Sequence, residues 1–198
     1  MADPEYPTIE VPDGWQLTTE GVETLFELPT MSVRGASRRY EDRATRAALA
    51  GGTDSQYDET LRFFAATRLA FDPGLPPGTL PASVLPSVKQ QARRRFKRRL
   101  RDHGVSRVSR GRSERLSVDG SRVRARSYTG TVDTPEGHAL PVEGWVAAWY
   151  DDDFLVVTGG YPDGRLADVF GIEEADDLLS IPPRVYRDDF FDLLGGVR

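Results

Sequence analysis

Hydrophobic positions along the chain fall into short, loosely alternating runs broken by prolines and glycines, with one long helical period in the middle. Val22 to Leu28 (VETLFEL) and Met31 to Tyr40 (MSVRGASRRY) flank Pro29, a pattern that predicts two adjacent strands joined by a turn. Ahead of them, residues 1–13 carry Pro4, Pro7 and Pro12 and read as an extended lead-in, with Trp15 and Leu17 as the first buried anchors. Ala44 to Ala50 has the composition of a short helical turn, but Gly51, Gly52, Thr53, Asp54 and Ser55 make the region a loop. Leu61 to Phe71 (LRFFAATRLAF) reads as a long central strand. FDPGLPPGTLP ends it, because four prolines in eleven residues can continue neither a strand nor a helix.

The helical period follows. Ser83 or Ser87 is placed to cap a helix that stops at Gly104. At 3.6 residues per turn, Leu85, Val88, Ala92, Phe96, Leu100 and His103 share one face, and Arg94, Lys97, Arg98 and Arg101 lie opposite. An apolar stripe with a charged back is what a core-packed helix needs, so the amphipathicity alone implies no function.

Beyond Gly104 the dipeptide Asp119-Gly120 marks a tight two-residue hairpin turn. With Val118 opposite Ser121, the pairs are Ser117 with Arg122, Leu116 with Val123, Arg115 with Arg124, Glu114 with Ala125 and Ser113 with Arg126. One face then carries Leu116, Val123 and Ala125; the other carries Arg115, Arg122, Arg124 and Arg126. Like charges directly opposite one another oppose pairing, so this face is solvated, matched by acids from elsewhere, or held for a ligand.

Val142 to Tyr150 and Phe154 to Thr158 form a further hairpin around Asp151, Asp152 and Asp153, after a loop near Thr134 to Gly137. A short helix or turn across Ile172 to Leu179, a Pro182-Pro183 break and a final helix near Asp188 to Leu194 complete the chain. Helices before and after a run of antiparallel strands indicate an α+β fold: a central antiparallel sheet, one long basic amphipathic helix and a short C-terminal helix. At 198 residues the expectation is a single domain over 1–198.

Charge changes the picture. The formal net charge is −5, yet Lys89 to Arg126 holds 15 basic and three acidic residues and sums to +12, leaving −17 on the rest. Within it, ARRRFKRRLRDHG (Ala92 to Gly104) puts seven cations into thirteen residues. Such segregation raises nucleic-acid or partner binding as a question. The absence of cysteine excludes disulfides, thiolate metal sites and cysteine nucleophiles. The acidic, proline-bearing start lacks the basic and apolar regions of a secretory signal, and no segment approaches a membrane span, so a soluble cytoplasmic protein is expected. Of 26 basic residues only Lys89 and Lys97 are lysine, and Asp outnumbers Glu, a usage that suggests a GC-rich, halophilic source.

The stretches VPDGWQL, FFAATRLAFDPGLPPG and PVEGWVAAWYDDDFLVVTGGYP resemble a family of uncharacterised haloarchaeal proteins. More remotely, the order of strands, basic helix, hairpins and terminal helix is similar to the PsbP-like α/β/α sandwich. Neither resemblance implies a catalytic residue, because the matching motifs are those of packing and turns.

Candidate chemistry is correspondingly sparse. Arg94, Lys97, Arg98 and Arg101 of the helix with Arg115, Arg122, Arg124 and Arg126 of the hairpin could take phosphate or carboxylate. A solvated or internally matched charge face is the plainer account. Molar salt, by shortening the Debye length to about 3 Å, disfavours nucleic acid as the partner. Asp151 to Asp153 read as a turn rather than a cation site, since three consecutive side chains do not converge on one ion. Asp176, Asp177, Asp188, Asp189 and Asp192 read as helix-end and solvating carboxylates. His103 caps a helix end and His138 sits in a loop, with no metal or triad spacing. No nucleophile elbow, Walker loop or dinucleotide fingerprint occurs, and no cofactor is implied. Trp145 and Trp149, four apart in a strand, share one face and are the candidate lining of a pocket, though core packing explains large aromatics more often. The expected function is a non-catalytic binding module using the arginine surface, with a protein partner or a second copy of the chain. Nucleic-acid binding, or an enzyme or ligand binder using the tryptophan face, are the alternatives.

Overall fold

The computed structural model describes residues 4–28, 31–54, 56–134 and 137–198. Seven strands form one antiparallel sheet: β1 (Trp15–Leu28), β2 (Met31–Asp42), β3 (Phe63–Asp72), β4 (Val105–Val118), β5 (Ser121–Asp133), β6 (Ala139–Asp151) and β7 (Asp153–Pro162). Their order across the sheet is β1-β2-β3-β7-β6-β5-β4. With helices α1 (Arg43–Gly52), α2 (Pro81–Asp102), α3 (Leu166–Phe170) and α4 (Pro183–Gly195), this is an α+β fold.

The order gives α2 its position. β3 and β4 follow one another in the chain, yet β7, β6 and β5 lie between them. The connection must therefore cross the sheet, and α2 makes that crossing over one face while α4 covers the other. Residues paired directly across strands share a face. Glu41, Phe63, Gly160, Gly144 and Tyr128 form one row on the α2 side, and Arg39, Ala65, Thr158, Val146 and Arg126 form the next. Tyr40, Phe64, Gly159, Trp145 and Ser127 lie in a row on the α4 side.

Glycines seat both helices. A β-carbon on Gly144 would stand 2.8 Å from the Phe96 ring of α2, and one on Gly159 would stand 2.6 Å from the Phe190 ring of α4. Each phenylalanine thus packs directly on sheet backbone. On the α2 side Val88, Phe96 and Leu100 are buried, as the helical period predicts, and on the α4 side Tyr186, Phe190, Leu193 and Leu194 are.

Several local expectations need correction. The region after Ala44 is not a loop: α1 runs ten residues, because Asp42 caps it, accepting from the Thr45 amide at 3.0 Å and hydroxyl at 2.6 Å. Leu49 of α1 is fully buried, which carries the helix through Gly51 and Gly52. Neither Ser83 nor Ser87 caps α2; Pro81 opens it without a side-chain cap, and Pro86 lies within its first turns. Leu17 is 43% exposed, and the buried anchor near the start is Ile9. Beside it the Thr8 backbone exchanges two hydrogen bonds with Arg198, which ties the lead-in to the chain end. The segment after β7 holds α3 and a 3-10 turn at Asp177–Leu179, capped by Asp176, and the last helix begins five residues earlier than expected, at Pro183. The turns expected at Pro29, Ser55 and around 135–136 lie outside the described residues.

Candidate anion-binding surface

The hairpin of β4 and β5 takes the register that its turn dictates. Asp119 and Gly120 both adopt positive φ, 45° and 85°, the conformation of the tight turn that matches strand twist. Arg115 then faces Arg124, Ser117 faces Arg122 and Ser113 faces Arg126, as expected. Arg126 pairs in turn with Val146, which belongs to the α2 side of the sheet, so the arginine face of the hairpin lies beside α2.

What α2 presents to it is also cationic. Burial and then the charges of Arg93 and Arg124 depress the pKa of Lys89. Burial and then the charges of Arg110 and Arg93 depress that of Arg126. Lys89, Arg93, Arg110, Arg124 and Arg126, drawn from one helix and two strands, are therefore joined in one cluster, with Arg93 and Arg124 each close to both Lys89 and Arg126 and Arg110 close to Arg126. None of them joins an ion pair among the described residues, and neither do Arg94, Lys97, Arg98, Arg101, Arg115 or Arg122.

Several of the strand and loop acids are committed to other arginines. Glu20 pairs with Arg38, Glu41 with Arg39, Asp58 with Arg46, Glu23 with Arg95, and Glu143 with Arg112. Buried Arg62 bridges Asp42 at 2.6 Å and Asp189 at 2.7 Å and lies 4.2 Å from the Tyr186 ring centroid. Asp189 thus ties α4 to the start of α1 rather than merely solvating a helix. Among the described residues the sheet beneath the hairpin-facing flank of α2 supplies no carboxylate to its cations.

The structure sorts the eight sequence candidates into two groups. Arg124 and Arg126 stand in the cluster, with Arg115 directly opposite Arg124 and Arg122 further along the same face. Arg94, Arg98 and Arg101 point outward from α2 and are exposed, with Lys97 one turn from Arg93 and partly buried. Sequence reasoning missed Lys89, Arg93 and Arg110. The first two sit at i and i+4 and so share a helix flank, a signal available in the sequence. Arg110 was hidden by register shifts on both sides of it, between Ser106 and Ser109 and between Arg110 and Ser113. The shift between Arg110 and Ser113 breaks strict alternation and brings Arg110 opposite Tyr128 on the α2 side.

Trp145 and Trp149 do share one face, but it is the α4 face, where both are packed in the core at 0% and 1% exposure. Neither is among the residues that line the large cavity beneath α2. Trp145 stacks on Phe190 and donates its indole N–H to the Tyr161 hydroxyl at 2.8 Å. That hydroxyl donates to Glu143, which also accepts two hydrogen bonds from Arg112. Burial acts to raise the pKa of Glu143, but the hydrogen bonds from Arg112, Tyr161 and Ser127 outweigh it and hold the carboxyl low. The result is an ionised, fully occupied carboxylate that fastens the sheet. The large cavity of the molecule, about 1080 Å³, lies on the opposite face beneath α2.

The remaining candidates are structural. Asp152 occupies the positive-φ corner between β6 and β7, and Asp153 lies 3.6 Å from Arg68. His103 follows α2 with Nδ1 2.8 Å from the Arg99 carbonyl oxygen, and His138 packs on Phe170. Among the described residues no group of three or more His, Asp or Glu side chains is placed to hold a metal ion, and no helix is long and apolar enough to cross a membrane.

One antiparallel sheet crossed by a basic helix defines an α+β protein whose distinctive chemistry is a cluster of cations. The chain belongs to the DUF6517 family: that family's model, a domain of unknown function, matches residues 3–198. No curated protein matches it.

Proposed function

We propose that this is a non-catalytic binding module that docks an acidic macromolecular surface against the cleft between α2 and the β4–β5 hairpin. The observation that carries the reading is the contrast in pairing: Lys89, Arg93, Arg110, Arg124 and Arg126 form a cluster of like charges without an ion pair among the described residues, while Glu23 and Glu143 serve other arginines. Mutual repulsion of this kind weakens the fold locally and is relieved when an anionic partner arrives. Guanidinium groups suit such a partner because they pair carboxylate or phosphate in bidentate fashion.

An acidic protein surface, a second copy of this chain included, fits better than nucleic acid. Phe96 and Tyr128, the aromatics nearest the cluster, are buried in the α2 core, so no ring is offered to stack on a base. The rest of the chain carries −17, which makes self-association through opposite charges a natural form of the interaction. The scarcity of lysine, the excess of Asp over Glu and the lack of cysteine support a reducing, high-salt cytoplasm as the setting. Helices on both faces of one sheet support the PsbP-like layering.

The test is fluorescence anisotropy with a labelled polyglutamate peptide and with single-stranded and duplex oligonucleotides, from low salt to molar potassium chloride. Binding of the peptide at low salt, with single strands held no more tightly than duplex, is expected. Oligonucleotide binding that persists into molar salt would transfer the surface to nucleic acid. Absence of binding to every polyanion at low salt would end the proposal.

A further inference from the structure

The cavity beneath α2 reaches from β1 across to β5, none of the clustered cations Lys89, Arg93, Arg110, Arg124 and Arg126 lines it, and small residues create it. Where Phe96 fills the space over Gly144, the neighbouring positions toward β1 are Gly21, Ala65, Thr67 and Thr158, which leave the floor hollow. Its volume, about 1080 Å³, slightly exceeds the roughly 300–1,000 Å³ of small-molecule sites. Phe63, Phe96, Leu69 and Val156 supply apolar wall. Thr158 and Tyr128 line it as well, and neither side chain makes a hydrogen bond to a described residue.

The rim toward β1 carries charge that is incompletely matched. Arg39 is neutralised by Glu41 at 3.1 Å and lies over the Phe63 ring. Arg95 donates to Glu23 at 2.8 Å and to the Leu25 carbonyl at 3.0 Å. Arg99 reaches only the same Glu23 oxygen, at 3.7 Å. Two guanidinium groups thus share one carboxylate, which leaves Arg99 incompletely matched at the edge of an apolar hollow; Arg98 also lines the hollow without an ion pair among the described residues, and the Glu59 and Asp133 carboxylates lie on its lining as well. Burial and the proximity of Arg95, opposed by Glu23, depress the pKa of Arg99. A single guanidinium fork matches one carboxylate in bidentate geometry. A doubly charged phosphate would meet Glu59 and Asp133 with about twice the repulsion that a carboxylate does, so the singly charged group suits this lining better.

We propose that this cavity binds an amphipathic monocarboxylate, its aliphatic or aromatic body lying over Phe63, Ala65 and Val156 and its carboxylate paired with Arg99. The site is separate from the polyanion surface: it uses the Arg95–Arg99 flank of α2 and small residues of β1, β3 and β7, and it requires no macromolecular partner.

The experiment is isothermal titration calorimetry of the full chain with dodecanoate below its micellar concentration, and with dodecanol and dodecyl phosphate as references. Dodecanoate should bind at one site per chain, and dodecanol about tenfold or more weaker, the value of one charge-assisted pair. Arg99→Gln, at a half-exposed side chain whose ion pair to Glu23 is 3.7 Å long, should bring dodecanoate down to the dodecanol level and leave dodecanol within about twofold. Ala65→Phe, which fills the floor, should abolish both. If that variant does not fold, Thr158→Leu narrows the same floor with a smaller side chain and should weaken both about tenfold. The proposal is overturned if wild type binds neither dodecanoate nor dodecanol, if dodecanol or dodecyl phosphate binds as tightly as dodecanoate, or if Arg99→Gln leaves dodecanoate affinity unchanged.

Discussion

The two flanks of α2 carry the same kind of side chain and meet opposite surroundings. Toward β1, Arg95 and Arg99 meet Glu23, and Arg95 closes onto the Leu25 carbonyl. Toward the hairpin, Lys89 meets Arg124, and Arg93 meets Arg126, which also lies beside Arg110. A run of cations in a sequence therefore has no single meaning. The strands that the topology places beneath each flank decide which half holds the fold together and which half is left with an unmatched field. The crossing of α2 from β3 to β4 makes the difference possible, because it lays one helix over both an acid-bearing edge and an arginine-bearing hairpin.

The most drastic way to break the comparison is to remove the anchor that both flanks share. Phe96→Ala empties the contact over Gly144 and should cost about 3–5 kcal/mol, read by urea denaturation, with the polyanion and cavity sites lost together. A sharper pair of substitutions separates the flanks. Arg124→Glu gives Lys89 and Arg93 a carboxylate and should stabilise the protein by about 0.5–1 kcal/mol at low salt, whereas Glu23→Gln should destabilise it by a similar or smaller amount. Both effects should shrink as salt is raised. Opposite signs from the two changes are the diagnostic result; a destabilising Arg124→Glu would mean that the hairpin cations are not in mutual repulsion.

The smallest effect is in the pH dependence. The folded-state pKa of Lys89 lies below its ordinary value of 10.5. Between the two values the unfolded chain binds more protons than the folded one, so this group makes stability rise with pH in that window. Wild type should therefore gain stability relative to Lys89→Gln as pH climbs toward 10.5, and the gain should diminish when Arg124→Ala is introduced in both backgrounds. Denaturation curves at stepped alkaline pH check this.

Much of this arrangement was legible before the structure, for local reasons. The Asp119-Gly120 turn fixes the hairpin register because both residues take the left-handed conformation, and the register then fixes the arginine face. The buried stripe of α2 follows from helical period alone. What the sequence could not convey is long-range order. Inserting β7 between β3 and β6 puts Arg39 and Glu23 on one side of α2 and Arg126 on the other, and no local signal reports it. The same holds for Trp145 and Trp149. Their shared face is a matter of strand alternation, but the helix that covers them, α4, is set by the whole topology. Asp42 was overlooked as a helix cap because it ends a strand, and Arg110 because the bulge between it and Ser113 reverses its side.

The most direct test of the account compares two triple variants in the anisotropy assay. One replaces Arg93, Arg124 and Arg126 by glutamine, and the other replaces Arg94, Arg98 and Arg101. Net charge changes equally, so bulk attraction predicts equal losses. The account predicts that the first variant loses polyanion affinity far more than the second, and that its log-affinity slope against log salt on single-stranded probes falls by about 2. Equal losses and equal slopes in the two variants would contradict it.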